Sequence, residues 1–241
     1  MMTVTEIADK LVVLCTAGKN EEAYKTLFAD NAVAVEAHES GYETVQGLPN
    51  LLDKMHNMVK SWETIHSVQI GEPTIIGNYF AVGMAQDVTI KEHGRTGMSE
   101  LAVYETKDGK IIKEQFFYSM DSDKNQVKAV ADKLIALCRA GKNAEALKTL
   151  YADDCVGIEA APAHYHETHG LNNIIENSKK YAENTISVNK LVITEPTIIG
   201  NYFAFGYAHD ITTKDRGRHI ERELCVYETK DGKVVRENFF Y

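Results

Sequence analysis

The chain is poor in proline, cysteine and tryptophan, with four, four and one of them in 241 residues. None of the cysteines sits in Cys-x-x-Cys spacing. Cys15, Cys138, Cys155 and Cys225 are therefore expected as small apolar core residues of a reducing compartment, not as a disulfide framework, a zinc site or a nucleophile. Long hydrophobic runs are missing too. Stretches such as 11–15 fall far short of the roughly 20 residues that span a bilayer, and no basic-then-apolar segment opens the chain. A cytoplasmic protein with no membrane partner is expected. Positive charge is in deficit, with 26 Lys and Arg against 35 Asp and Glu and a net charge of -9. That balance lacks the clustered basic footprint of a nucleic-acid or anionic-membrane binder. The chain has no phosphate-binding glycine loop, no Gly-x-Ser-x-Gly elbow and no His-Glu-x-x-His helix, so no cofactor is expected.

What the chain does have is a repeat. Residues 72–81, Glu-Pro-Thr-Ile-Ile-Gly-Asn-Tyr-Phe-Ala, return unchanged at 195–204. The same shift aligns Val4 with Val127, Cys15 with Cys138, Glu36 with Glu159, Gly47 with Gly170 and Tyr118 with Tyr241 without a gap. The chain is a tandem duplication, with domains expected at 1–120 and 124–241, each long enough to bury its own core. The linker between them is short and polar. A duplicated unit that would otherwise pair with itself is expected as an internal pseudo-dimer, with the sheet faces in contact.

Within the first repeat, Thr3 and Glu6 have the spacing of a capping box. They open a helix with the apolar face Ile7, Ala8, Leu11, Leu14 and Cys15, ended by Gly18. Asn20 is placed to cap a short second helix over 21–28. Val33 and Val35 mark a strand over 32–37 that carries Glu36 and His38 to its far end. Pro49 opens a third helix bearing Leu51, Leu52, Met55, Met58, Val59 and Trp62. Runs 65–76 and 79–90 meet at Gly77-Asn78, and runs 98–106 and 111–118 meet across Asp108-Gly109, so two hairpins are expected. Asp123 and Gln126 repeat the capping pattern at the start of the second domain. This order gives an α+β unit, a curved and mainly antiparallel sheet wrapped against about three helices.

The closing pattern is Glu100-Leu101-Ala102-Val103-Tyr104-Glu105, then Asp108-Gly109-Lys110-Ile111, then Glu114-Gln115-Phe116-Phe117-Tyr118, with Glu237-Asn238-Phe239-Phe240-Tyr241 ending the second half. It resembles the closing strands of a SnoaL-like domain of the nuclear transport factor two-like superfamily. The resemblance covers both repeats. It implies two tandem cone-shaped domains, each a six-stranded curved sheet with helices closing a pocket, usually paired through the sheet. Similar domains include polyketide cyclases, ketosteroid isomerases, dehydratases of small hydroxy compounds and epoxide hydrolases. Fold analogy does not choose among them.

The choice falls to side chains. On the last strand Ile112, Glu114, Phe116 and Tyr118 share one face, so Glu114 and its copy Glu237 sit between aromatics, where desolvation would raise a carboxyl toward neutrality. The competing reading is an outward or salt-bridged strand residue. Glu100, copied as Glu223, either approaches Glu114 across the ladder, or sits on the opposite face from it, or each of the two pairs with a cation such as Lys54 or Arg95. Glu36 and His38 form a candidate proton shuttle at the mouth of the cone; the second repeat keeps Glu159 but has Ala161. Lys54, Trp62 and His66, which resemble the helix-to-strand junction of this subfamily, become Asn177, Thr185 and Asn189. These differences favour the first repeat as the active one. His164, His166 and His169 fall in a predicted loop, where a solvent-exposed histidine cluster competes with a metal site, and no metal ligand is assigned. His209 replaces Gln86. Along 79–89 the face of Tyr79, Ala81, Gly83, Ala85, Asp87 and Thr89 is identical in both copies and either lines a pocket or packs under the helices; Asp87 and Asp210 are weak site candidates.

Three functions fit this pattern. The first is a binder of a small apolar or amphipathic molecule, using Glu100, Lys54, Trp62, His66, Tyr118, Phe116, Glu237 and Glu159. The second is a cofactor-independent isomerase, cyclase or dehydratase with Glu114, Glu36 and His38 as catalytic groups. The third is a non-catalytic interaction module.

Overall fold

The computed structural model of the chain describes residues 1–37, 43–118, 124–159 and 166–241; His38, Asp123, Ala161 and His164 lie outside the described residues. The chain divides into two compact units, Met1–Met120 and Asp121–Tyr241.

In the first unit α1 (Val4–Thr16) and α2 (Asn20–Leu27) precede β1 (Phe28–Val35), β2 (Val45–Gln46) and α3 (Leu48–Ser61), and the strands β3 (Trp62–Ile70), β4 (Thr74–Ile76), β5 (Tyr79–Ile90), β6 (Gly94–Lys107) and β7 (Lys110–Tyr118) complete it. The capping box forms: the Thr3 hydroxyl accepts the Glu6 N–H at 3.2 Å, and the Glu6 carboxylate accepts the Thr3 N–H at 2.7 Å. The sheet runs β2-β1-β7-β6-β5-β3, with β4 beside β5. The β1–β7 pair is parallel, and the other pairs are antiparallel. The second unit repeats the plan in α4 (Lys124–Arg139), α5 (Asn143–Leu150), β8 (Tyr151–Glu159), β9 (His166–His169), α6 (Leu171–Asn184), β10 (Thr185–Ile193), β11 (Thr197–Ile199), β12 (Tyr202–Thr213), β13 (Gly217–Lys230) and β14 (Lys233–Phe240). Each unit is thus a tandem copy of one cone, with seven strands and three helices among the described residues.

The hairpins follow their turn residues. Ile76 pairs with Tyr79 across Gly77, whose φ is 57°, and Lys107 pairs with Lys110 across Asp108 and Gly109, whose φ values are 53° and 75°. Such turns need positive φ, which Gly and Asp adopt at low cost. The helices pack on one sheet face, where Ile7 and Leu11 of α1, Leu27 of α2 and Leu51 of α3 join Phe80, Val82 and Tyr104. Burial of each such aliphatic side chain is worth about 1.5–3 kcal/mol.

Five local expectations change. Residues 65–76 form two strands, not one, because Pro73 has no N–H for the ladder, which breaks over 71–73; the sheet therefore has one strand more than the six implied. Lys19, not Asn20, is the cap of α2, and it makes no side-chain cap bond. Trp62 leaves the helix: α3 ends at Ser61, and Trp62 opens β3 opposite Ile90. His166 and His169 belong to a strand, since β9 pairs with β8 through Glu159↔His166 and Val156↔His169. Because Phe80 and Val82 face the helices, alternation turns the identical face of Ala81, Gly83 and Ala85 to the opposite side of the sheet. That face neither lines the cavity described below nor packs under the helices.

Candidate functional site

In the first repeat Glu36, buried just beyond the end of β1, receives bonds from the Lys54 ammonium of α3 and the Tyr118 hydroxyl at the end of β7. The ammonium also lies 4.7 Å from the centroid of the Phe116 ring, a cation–π contact. Glu114 is 1% exposed and accepts a 2.9 Å hydrogen bond from the Tyr24 hydroxyl. The β6–β7 register sets Tyr104 opposite Glu114 and Glu100 opposite Tyr118, so Glu100, Glu114 and Phe116 share one face. Burial pushes the Glu114 carboxyl up to about 8 and the Glu100 carboxyl up to about 7, while Lys54 pulls both down. The residues brought together are thus Glu36, Glu100, Glu114, Lys54, Phe116 and Tyr118. His66 is exposed and hydrogen-bonded to Thr89 at 2.8 Å, and Trp62 faces Ile90 on β3; among the described residues neither bonds to these carboxylates. Arg95 is taken by Asp87 in a two-point contact of 2.6 and 2.9 Å, and Asp210 is held in the same way by Arg218, so neither aspartate joins the site.

A cavity of about 780 Å³ opens in the second repeat. The same strands bring Glu159, Glu223 and Glu237 to its interior, with Leu134, Ile174, Phe205 and Phe239 as apolar wall. Along its wall Asn177, Ser178 and Gly157 stand where the first repeat has the larger Lys54, Met55 and Ala34. A Cβ at Gly157 would lie 3.2 Å from a Glu237 carboxylate oxygen and 3.5 Å from the Ile174 Cδ1. Tyr151 donates to Glu237 at 2.6 Å. In the first repeat the corresponding tyrosine is one helical turn earlier, at Tyr24, so the partner of the last-strand carboxylate is retained while its origin moves. Burial pushes Glu223 up to about 8, with Glu159 and Glu221 adding to the rise, and pushes Glu237 up to about 7. Burial raises Glu159 as well, opposed by a Tyr241 hydrogen bond.

The rim carries a second polar group. Glu221 accepts from Tyr181 at 2.7 Å and bonds to His209 at 2.9 Å and His219 at 2.8 Å, and it also receives Arg216. Partial burial would raise Glu221, but these donors together hold it down at about 2. Cys138 and Cys225 line the same cavity, but burial pushes the Cys138 thiol up to about 11 and Cys225 well above its ordinary value. They stay protonated and serve as apolar wall, not as nucleophiles. Among the described residues no group of His, Cys, Asp or Glu is arranged to hold a metal ion.

A family model described as a SnoaL-like domain matches residues 2–118 and again 126–241. The chain belongs to the SnoaL-like domain family. Among solved structures, a Mesorhizobium loti protein provisionally described as a SnoaL-like polyketide cyclase is 33% identical, with 48% of this chain and 100% of that one covered and a TM-score of 0.46. A Catenulispora acidiphila protein of ketosteroid isomerase-like fold, solved with trimethylamine, is 22% identical over 51% of this chain and 92% of its own, with a TM-score of 0.41. A provisionally assigned isomerase from Bacillus subtilis is 20% identical over 49% and 90%, with a TM-score of 0.39. No curated protein matches the chain. Among the described residues no helix is long and apolar enough to cross a membrane.

In this SnoaL-like protein the rim of the cavity is what sequence reading missed. Tyr181, Arg216, His219 and Glu221 stand where the first repeat has Met58, His93, Thr96 and Met98. The available signal was that set of differences between copies, but only the strand register shows that Glu221 and His209 are direct partners across β12 and β13.

Proposed function

We propose that the second repeat binds a small amphipathic molecule, its apolar part against Leu134, Ile174, Phe205 and Phe239 and its polar end among Glu159, Glu223 and Glu237. The observation that carries this reading is the cavity of about 780 Å³ with carboxylates at its interior, a volume within the range of small-molecule sites. Ser178→Met, which restores the bulkier residue of the first repeat, is expected to fill part of that space. In a thermal-shift screen of the full chain, a ligand at about 100 times its Kd should stabilise the wild type by about 2.7 kcal/mol. Ser178→Met should lose most of that gain. Hits that stabilise both proteins equally would reject this cavity as their site.

A second reading is favoured by Glu223 and Glu237 themselves. Carboxyls near 8 and 7 hold and release protons at neutral pH, the range a general acid or base needs. If a bound ligand is turned over, Glu237→Gln should abolish turnover, and retained turnover would remove Glu237 from the chemistry. A reducing, cytoplasmic setting goes with both readings, on the strength of four free thiols.

A further inference from the structure

The two repeats present the same acidic pocket in two states of filling. In the first, a cation from the protein's own chain is seated in it: the Lys54 ammonium bonds to Glu36 and lies 4.7 Å over the Phe116 ring, with Glu100 and Glu114 close enough to feel its charge. The second repeat keeps the groups around that ammonium, as Glu159, Phe239, Glu223 and Glu237, and lacks the ammonium itself, because Asn177 replaces Lys54. The Asn177 amide is turned to the Thr168 hydroxyl at 3.2 Å. Where the lysine stem runs in the first repeat, the second has the open cavity.

We propose that the second repeat binds an organic amine, whose ammonium takes the place among Glu159, Glu223, Glu237 and Phe239 that Lys54 fills in the first repeat. The identification rests on the cavity-binding reading above and narrows its ligand to a cation carried on an apolar body.

Other charges near the pocket do not supply the missing cation. Arg216 is engaged by Glu221 at the rim. Arg222 also borders the cavity, but it lies between Glu221 and Glu223 on β13 and pairs with Ala208 across β12, so strand alternation turns its side chain away from the face that carries the two glutamates. Burial and neighbouring carboxylates raise Glu223 and Glu237, while His166 draws Glu159 down against its burial. Three buried carboxyls in one cavity, with His166 beside Glu159 alone, are driven toward the protonated form, and a bound ammonium would let them ionise. The aromatic face adds a cation–π contact that a neutral ligand of the same shape cannot make.

The test compares benzylamine with benzyl alcohol, which share an apolar ring and differ in charge, by calorimetric titration of the full chain. Benzylamine should bind about ten-fold tighter or more. The net charge of -9 attracts any cation weakly, so the site itself is examined with Asn177→Lys, which reproduces the filling of the first repeat. That variant should lose the preference for benzylamine. Benzyl alcohol binding as tightly as benzylamine, or no benzylamine binding to the wild type, overturns the amine assignment; the cavity reading is judged separately, by the loss of screening hits in Ser178→Met. Equal preference for benzylamine in the wild type and in folded Asn177→Lys also overturns it. The wild-type comparison requires no variant and decides the question should Asn177→Lys fail to fold.

Discussion

Glu114→Gln is expected to make the first repeat less sensitive to pH and more stable at neutrality. Burial raises the Glu114 carboxyl from an ordinary value of 4.5 to about 8. Between those values the folded protein holds a proton that the unfolded chain has released, so stability falls as pH rises through the window. At one unit of pKa per 1.36 kcal/mol, a single such carboxyl removes about 3 kcal/mol between its ordinary pKa and neutrality. Glutamine is neutral throughout and its carbonyl can still accept from Tyr24. Urea unfolding at both ends of the window should show the variant gaining about 3 kcal/mol on the wild type at neutral pH relative to acid. The second repeat, with Glu237 intact, serves as an internal control. Parallel pH profiles for wild type and variant would mean that Glu114 is not the buried proton carrier described here.

Lys54→Met is expected to cost the first repeat about 3 kcal/mol, the lower end of the range for breaking a buried ion pair by removing one partner. The lower end is chosen because the Lys54 side chain is 30% exposed while that of Glu36 is 2% exposed. The loss has three sources: Glu36 is left charged without its partner, Glu100 and Glu114 lose the cation that pulls them down, and Phe116 loses its cation–π contact. The matching change in the second repeat, Asn177→Met, meets no ion pair and should stay within about 0.5 kcal/mol of wild type. Denaturant midpoints for the two variants check this contrast. Equal effects would show that the seated ammonium contributes nothing to the first repeat.

Much of the fold was legible in the sequence because it depends on local chemistry. The exact copy at 72–81 and 195–204 exposed the duplication, Thr3 and Glu6 fixed the first helix start, and Asp108-Gly109 fixed the last hairpin. The gathering of Glu36, Glu100, Glu114, Lys54, Phe116 and Tyr118 was legible as a list of residues, since strand alternation placed several on one face. Which carboxylate would take Lys54 was not, because that depends on where α3 crosses the end of β1. Lys54 reads as a functional side chain, yet in the folded unit it fills the space that Asn177, Ser178 and Gly157 leave free in the other copy. Glu221 was invisible in sequence because its partners come from α6 and from the strands around it, and no spacing along the chain announces that meeting.

Methyl spectra of the full chain titrated with benzylamine decide whether the second repeat receives a ligand. The methyl signals of Leu134, Leu147 and Ile174, which line the cavity, should move while those of Leu11 and Leu51 in the first repeat hold still. Movement confined to Leu11 and Leu51, or no movement in either set, would contradict binding in the second repeat.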